Sequence, residues 1–298
     1  MNTVLLVSSA VAEMPSLKLN WNLFSYLVNK FSLGKTNAEA ILMLVGVVVC
    51  IIIPYLLGSI NPAIIISNRI YNDDIRSHGS GNAGATNTLR TYGKKMALLI
   101  FACDMLKAAV AVIFGYLLLP STIGASIAGL FVILGHMFPI YYKFKGGKGV
   151  SCACMVVLLI SPISFVILIS LFILIVLMTK YVSLGSIIAI MFFPILNRAF
   201  YPQNGDVTLS GFLIMCLVVF MHRENIKKLI NGKESKISFN KSGKTDKKEE
   251  KSEADNSQKE YSDDDFVKCE CGRLIPISRK SCAYCGTKNK FYTPKNRD

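Results

Sequence analysis

GVSCACMVVLLISPISFVILISLFILIVLMT, residues Gly149–Thr179, carries no charged side chain and holds its single proline at position 162. A membrane-spanning helix needs about 20 apolar residues, so this run is too long for one ordinary span. Proline removes a helix hydrogen bond and forces a break, which divides the run at Ser161-Pro162 into two short helices that cross the membrane and return. Five further apolar stretches flank it: Ala40–Leu57, Met96–Leu119, Thr122–Tyr142, Leu184–Phe200 and Leu209–Met221. The expected fold is therefore an all-α polytopic membrane protein of seven transmembrane helices. The composition agrees: 52% of the 298 residues are hydrophobic and only 17% are charged. A soluble protein does not alternate long charge-free runs with short basic loops; a membrane protein does, because every unpaired polar group in hydrocarbon costs several kcal/mol.

Charge sets the orientation. Basic residues collect in four places: Arg69, Arg76, Arg90, Lys94 and Lys95 in the first loop; Lys143, Lys145 and Lys148 in the second; Lys180 after the split run; and Arg223, Lys227 and Lys228 after the last helix. Basic loops stay cytoplasmic. Seven helices with the N-terminus outside and the C-terminus cytoplasmic put all four on that side, whereas six do not. The turns at Pro120, Pro162 and Tyr201–Asp206 then face outward. The net charge of +14 points to anionic headgroups and anionic substrates rather than nucleic acid. The segmentation reads as an N-terminal extension (1–38), a membrane domain (39–234), a charged linker (235–265) and a cysteine-bearing module (266–298). Met1–Met14 lacks the basic start of a secretory signal and reads as an interfacial or poorly ordered extension. Ser235–Asp265 has too few apolar residues to bury and is expected to be a disordered linker.

Chemistry concentrates in the basic loops. The first reads DIRSHGSGNAGATNTLR (Asp74–Arg90). Its glycines allow close backbone approach to a ligand, its Ser, Thr and Asn side chains supply donors, and Arg90 supplies a fork suited to phosphate. The second reads GHMFP (Gly135–Pro139) and FKGGKGV (Phe144–Val150), with three glycines around Lys148. Ser183 and Ser186 follow Lys180 at a helix start, where capping is an equal reading. His222 and Asn225 lie three apart on one helix face. Asp104 and Lys107, also three apart inside a span, read as an internal ion pair supporting the loops. His136, at a helix end, is open between packing and catalysis. No metal-ligand spacing occurs in these loops, so they imply metal-free handling of a phosphate-bearing substrate beside lipid.

These residues resemble a known family, the bacterial acyl-phosphate-dependent glycerol-3-phosphate acyltransferases (the PlsY family), through DIRSHGSGNAGATNTLR, GHMFP with FKGGKGV, and HRENIKKLINGKES (His222–Ser235), over about residues 40–236. The resemblance implies a seven-helix cell-membrane enzyme with its active site on the cytoplasmic face. It implies transfer of a fatty acyl group from acyl phosphate to the 1-hydroxyl of glycerol 3-phosphate, without a catalytic cofactor. Matching motif to motif, Ser80, Arg90 and Lys148 should hold phosphate. Gly81, Asn82, Gly84, Thr86, Asn87, Gly146, Gly147 and Gly149 should shape the pocket, Ser183 or Ser186 complete it, and His222 with Asn225 contact the glycerol phosphate. His222 is the expected general base, with a substrate phosphate oxygen as competitor. The chain departs from the family pattern at Asn61-Pro62 and at Ala108 after Lys107, both in helix-packing regions.

Two other functions compete on the residues. A transporter of a phosphorylated solute would place polar groups at the midplane of several helices, and only Asp104 and Lys107 are deep. A membrane-anchored adaptor leaves the glycine-rich loops unexplained. The tail adds Cys269-Glu270-Cys271-Gly272 and Cys282-Ala283-Tyr284-Cys285-Gly286, resembling the two knuckles of a zinc ribbon, with Cys269, Cys271, Cys282 and Cys285 as ligands of a structural zinc. Its expected role is docking to a protein partner, regulation or nucleic-acid contact.

Overall fold

Pro54, Pro62 and Pro162 punctuate the apolar sequence, and the chain answers each differently. The computed structural model describes residues 22–31, 37–237, 266–268 and 274–276. A short helix α1 (Leu23–Lys30) precedes α2 (Asn37–Ser59), which carries Pro54 within it. Pro62 opens α3 (Pro62–Ile70), where Asn61 caps the helix by accepting from the Ile64 N–H at 3.2 Å. A proline at the first helical position costs nothing, since its missing N–H would have no partner there. After a 3-10 turn at Ile75–Ser77 come α4 (Ala85–Thr91), α5 (Lys94–Leu118) and α6 (Ile123–Met137), then a second 3-10 turn at Ile140–Tyr142. The run quoted first forms α7 (Val150–Ile160) and α8 (Pro162–Thr179), with Pro162 opening α8 and Ser161 between them. The chain continues through α9 (Val182–Phe200), α10 (Gly205–Met221) and α11 (Arg223–Ile230).

Helices stand at all seven expected places, but their lengths are unequal. Five apolar helical stretches among the described residues are long enough to cross a membrane: 37–70, 94–118, 123–142, 162–179 and 182–200. α10 reaches that length only with α11, across a 57° bend. α7, with 11 residues, rises about 16 Å at 1.5 Å per residue, roughly half the hydrocarbon thickness. The chain is a multi-pass membrane protein. Its outward faces say the same: Leu44, Leu98, Leu106, Leu174, Leu177, Ile195 and Leu209 are all exposed, the reverse of a water-soluble surface.

Inside, Ala108, Val112, Val132, Met137, Val156, Phe193 and Ile214 form one core contributed by α5, α6, α7, α9 and α10. Between apolar helices in lipid, close backbone approach replaces the hydrophobic drive. α2 and α6 show it: a Cβ on Gly58 would stand 2.2 Å from the Val132 carbonyl oxygen, and one on Gly135 would stand 2.1 Å from that of Tyr55.

The chain divides into two compact units, 1–238 and 239–298. The second shows β1 (Phe266–Lys268) paired antiparallel with β2 (Leu274–Pro276), Val267 opposite Ile275. The four proposed zinc ligands Cys269, Cys271, Cys282 and Cys285, the linker beyond residue 237 and Met1–Met14 lie outside the described residues.

Candidate active site

The first loop is built around Asn87. Buried on α4, it accepts from the Ser80 N–H at 3.0 Å and donates to the carbonyls of Ile75 and His78, both at 3.0 Å. Its side chain is thus spent holding the loop in shape. Gly79 and Gly81 sit at φ +53° and +72°, the left-handed region that favours glycine. Asn82 donates to the Ser80 carbonyl at 3.1 Å and lies 3.4 Å from its hydroxyl. Gly84 caps α4, and Thr86 and Arg90 stand exposed on it. The expected irregular loop therefore contains a helix, one that Asn87 anchors from within.

The second loop folds back onto the end of α6. The Gly146 N–H donates to the Met137 carbonyl at 3.2 Å and the Gly147 N–H to that of His136 at 3.1 Å. A Cβ on Gly147 would meet His136 Nε2 at 2.2 Å and the Ala83 carbonyl at 2.8 Å. These glycines were expected to admit a ligand. Their close contacts in the protein are with the end of α6 and, for Gly147, the Ala83 carbonyl, and Lys148 follows directly. Gly149, at φ +80°, turns the chain into α7.

Lys148 meets the fourth element. Its ammonium donates to Asn225 Oδ1. Asn225 Nδ2 donates to Glu234 Oε1 at 2.8 Å, and the same oxygen accepts from the Ser183 hydroxyl at 2.8 Å. One chain of polar contacts thus links the second loop, the start of α9, α11 and the segment after α11. Ser186 is buried and turned inward, donating to the Val182 carbonyl at 3.0 Å. His222 stands buried at the bend between α10 and α11, with Nδ1 2.7 Å from the Val218 carbonyl. A carbonyl only accepts, so Nδ1 carries the proton and Nε2 is the nitrogen left for a substrate.

Lys148 has two cations, Arg90 and Lys228, and one carboxylate, Glu234, as charged neighbours. Burial pushes Lys148 down from its ordinary value to about 8, Glu234 opposes the fall, and Arg90 and Lys228 add to it. Two of these groups were not singled out in the sequence. Glu234 lies in the third motif, and the signal was a lone carboxylate between Lys233 and Lys236. Lys228 was read only as topogenic charge. Of the expected residues, Lys148, Asn225 and Ser183 are joined by direct contacts or a shared partner. Ser80, Asn82 and Asn87 instead hold one another.

Beneath the loops lies a closed ion network. Lys107 Nζ stands 2.9 Å from Asp104 Oδ1, 3.1 and 2.8 Å from the Gly58 and Ile60 carbonyls, and 3.0 Å from His136 Nδ1. The expected internal pair is present, and His136 is its third member. Asp104, His136 and Cys152 bring three potential ligand atoms within 4.8 Å of one another, and the Lys107 ammonium stands against Asp104 and His136 of that set.

An apolar cavity of about 150 Å³ borders the polar site, lined by Val150, Cys154, Phe165, Phe172, Ser186 and Ile190 among others. It begins two residues beyond Lys148 and runs between α7, α8 and α9.

Comparison with known proteins bears on this arrangement. The profile of a family described as glycerol-3-phosphate acyltransferase matches residues 48–232. Proteins named glycerol-3-phosphate acyltransferase are similar in Thermoanaerobacter sp. (strain X514), with 44% identity over 62% of this chain and 93% of the relative, and in Finegoldia magna, with 41% over 63% and 95%. One from Bacillus subtilis (strain 168) is 38% identical over 63% and 96%. Two crystal structures of PlsY, described as an integral membrane glycerol 3-phosphate acyltransferase, also match. The glycerol 3-phosphate form has TM-score 0.58 and 38% identity over 64% of this chain and 96% of the other. The lysophosphatidic acid form has TM-score 0.57 and 37% identity over 64% and 95%.

Proposed function

The chain belongs to the glycerol-3-phosphate acyltransferase family, and from that premise we propose how its residues divide the work of acylating glycerol 3-phosphate. The donor is an acyl phosphate and the products are lysophosphatidate and inorganic phosphate. An acyl phosphate is already activated, so the reaction needs no cofactor and no covalent nucleophile. What remains is to hold two anions together, orient a hydroxyl and stabilise developing charge.

The observation that carries this reading is the polar chain from Lys148 through Asn225 and Glu234 to Ser183, set beside His222 and against the apolar cavity. Lys148 and Arg90 neutralise substrate phosphate, with Ser80, Thr86 and the loop backbone completing the cradle. Asn225, held by Glu234, orients the glycerol phosphate, and Ser183 hydrogen-bonds beside it. The acyl chain lies in the cavity between α7, α8 and α9, entered next to Ser186. The 1-hydroxyl attacks the acyl carbonyl carbon, the carbon–oxygen bond to phosphate breaks, and phosphate departs with the electron pair. The hydroxyl proton goes to His222 Nε2, which the Val218 carbonyl keeps unprotonated. A phosphate oxygen of the substrate is the competing acceptor.

Seven crossings with the active site facing the cytoplasm complete the proposal, supported by the four basic regions described above. The short α7 then crosses as a partner of α8, in a bilayer that thins locally. The tail, 266–298, is proposed as a zinc-stapled module at residues Cys269, Cys271, Cys282 and Cys285. The site assignment is tested with Arg90→Ala and Lys148→Ala: both lose phosphate release from acyl phosphate while inserting normally, and wild-type rates in both would remove the phosphate pocket.

A further inference from the structure

Arg76 belongs to no part of the site described so far, yet it bridges the first loop to the second. Its Nη1 donates to the carbonyls of Tyr142 at 3.2 Å and Lys145 at 3.3 Å. Its Nε and Nη2 grip both oxygens of Asp74, at 3.0, 3.1 and 2.7 Å. All three guanidinium nitrogens are therefore in use, and Asp74 balances the charge. Asp74 is itself locked: it caps the 3-10 turn by accepting from the Arg76 N–H at 2.9 Å, and its carbonyl accepts from Ser77 N–H and hydroxyl. A guanidinium so committed is not a phosphate ligand. It is a bracket.

What it brackets needs one. Between the two accepting carbonyls lie Lys143 and Phe144, both non-glycine and both in the left-handed region at φ +56° and +60°. Side-chain crowding disfavours that conformation, and successive residues in it are rarer still. Such a turn persists only where its surroundings over-determine it. On one side the Phe144 N–H donates to the Pro139 carbonyl at 3.0 Å, and Gly146 and Gly147 bond the end of α6. On the other side stands Arg76. Lys148 follows three residues after the second bracketed carbonyl, so any relaxation of the turn is felt at its ammonium.

We propose that Arg76, oriented by Asp74, is a positioning residue: it fixes the strained Lys143–Phe144 turn, and through it the placement of Lys148. The first loop thereby sets the second loop's affinity for phosphate. This rests on the phosphate-binding reading of Lys148. A lysine in its place offers a point charge rather than a fork, so it can hold Asp74 or a carbonyl of the turn but not the whole set.

The test compares Arg76→Ala, Arg76→Lys and Asp74→Asn in the purified full-length protein, by initial rates over a range of glycerol 3-phosphate at saturating acyl phosphate. Thermal unfolding is measured in the same detergent. Misplacing a binding group by about 1 Å costs as much as about a hundred-fold in rate. The expected result is a fall in kcat/KM of about ten- to a hundred-fold for Arg76→Ala, carried mainly by KM. Arg76→Lys recovers part of it, and Asp74→Asn falls in the same direction by less, all with unfolding midpoints close to the parent's. Asp74→Asn discriminates most sharply. If Arg76 bound phosphate directly, removing the competing carboxylate would tighten glycerol 3-phosphate, and that result overturns the proposal. Unchanged kinetics in Arg76→Ala overturns it as well. Should Arg76→Ala fail to fold, Arg76→Lys and Asp74→Asn carry the same two outcomes. A parent protein that does not acylate glycerol 3-phosphate at all would overturn the underlying reading, an outcome distinct from an active parent with indifferent variants.

Discussion

The protonation of Lys148 offers the most quantitative handle on the site. Its pKa is pushed down to about 8 by burial, with Arg90 and Lys228 pushing the same way and Glu234 opposing. A phosphate site needs the ammonium, not the amine. With a pKa near 8, the free enzyme is about nine-tenths charged at pH 7 and about one-tenth charged at pH 9. The kcat/KM profile reports groups of the free enzyme. For glycerol 3-phosphate it should therefore run level through neutrality and fall about ten-fold per pH unit above about 8. Bound phosphate favours the ammonium, so the limb in kcat alone should lie at higher pH. The second ionisation of a phosphate monoester, near about pH 6, belongs to the acid side and does not confuse the limb. The assay is phosphate release between pH 6 and 9.5 at constant ionic strength, with enzyme-free blanks for spontaneous hydrolysis of the donor. Lys148→Arg substitutes a guanidinium with a pKa above about 12, and whatever activity it retains should show no alkaline limb in this range. Glu234→Gln removes the one neighbour that raises the lysine's pKa, so its limb should move below 8. An alkaline limb unchanged in both variants, or no decline up to pH 9.5 in the parent, would refute the assignment of that charge to Lys148.

Two further substitutions probe the scaffold. Gly147→Ala puts a Cβ 2.2 Å from His136 Nε2 and 2.8 Å from the Ala83 carbonyl. The loop must move, and kcat/KM should drop by about a hundred-fold without loss of membrane insertion; near-parental kinetics would show that the close approach to α6 is dispensable. Lys107→Met leaves the Asp104 carboxylate buried without its cation, at a cost of about 3–5 kcal/mol. This should appear as a lowered unfolding midpoint in detergent. Asp104→Asn with Lys107→Met removes both charges and should recover most of that loss; a double variant no more stable than Lys107→Met would count against the network as described.

Features written in one residue type or one short segment were legible in the sequence. The break at Ser161-Pro162 was readable because proline acts on its own backbone, and the structure ends α7 at Ile160 and starts α8 at Pro162. The Asp104–Lys107 pair was readable because a three-residue spacing in a helix puts the two on one face. Contacts arranged by tertiary structure were not. His136 joins that pair from another helix, 29 residues from Lys107, and no spacing announces it. Gly146 and Gly147 were legible as a place of close backbone approach, but not that the end of α6 and, for Gly147, the Ala83 carbonyl would stand against them. Asn87 was expected to shape the pocket, but no spacing announced that its side chain would do so through three hydrogen bonds within its own loop. Glu234 was not legible, because a carboxylate repels an anion; the structure gives it to Asn225 and Ser183 as their shared acceptor. The unequal helix lengths were hidden too, since hydropathy marks an apolar run but not where its helix frays or bends.

We propose that this membrane protein joins an acyl phosphate to glycerol 3-phosphate through the site around Lys148. The most direct measurement supplies purified full-length protein with glycerol 3-phosphate and a long-chain acyl phosphate, without added metal or coenzyme A, and follows inorganic phosphate and lysophosphatidate together. The two should form in equal amounts, and Lys148→Ala should abolish both. Turnover with acyl-coenzyme A in place of acyl phosphate, or phosphate release without lysophosphatidate, would contradict it.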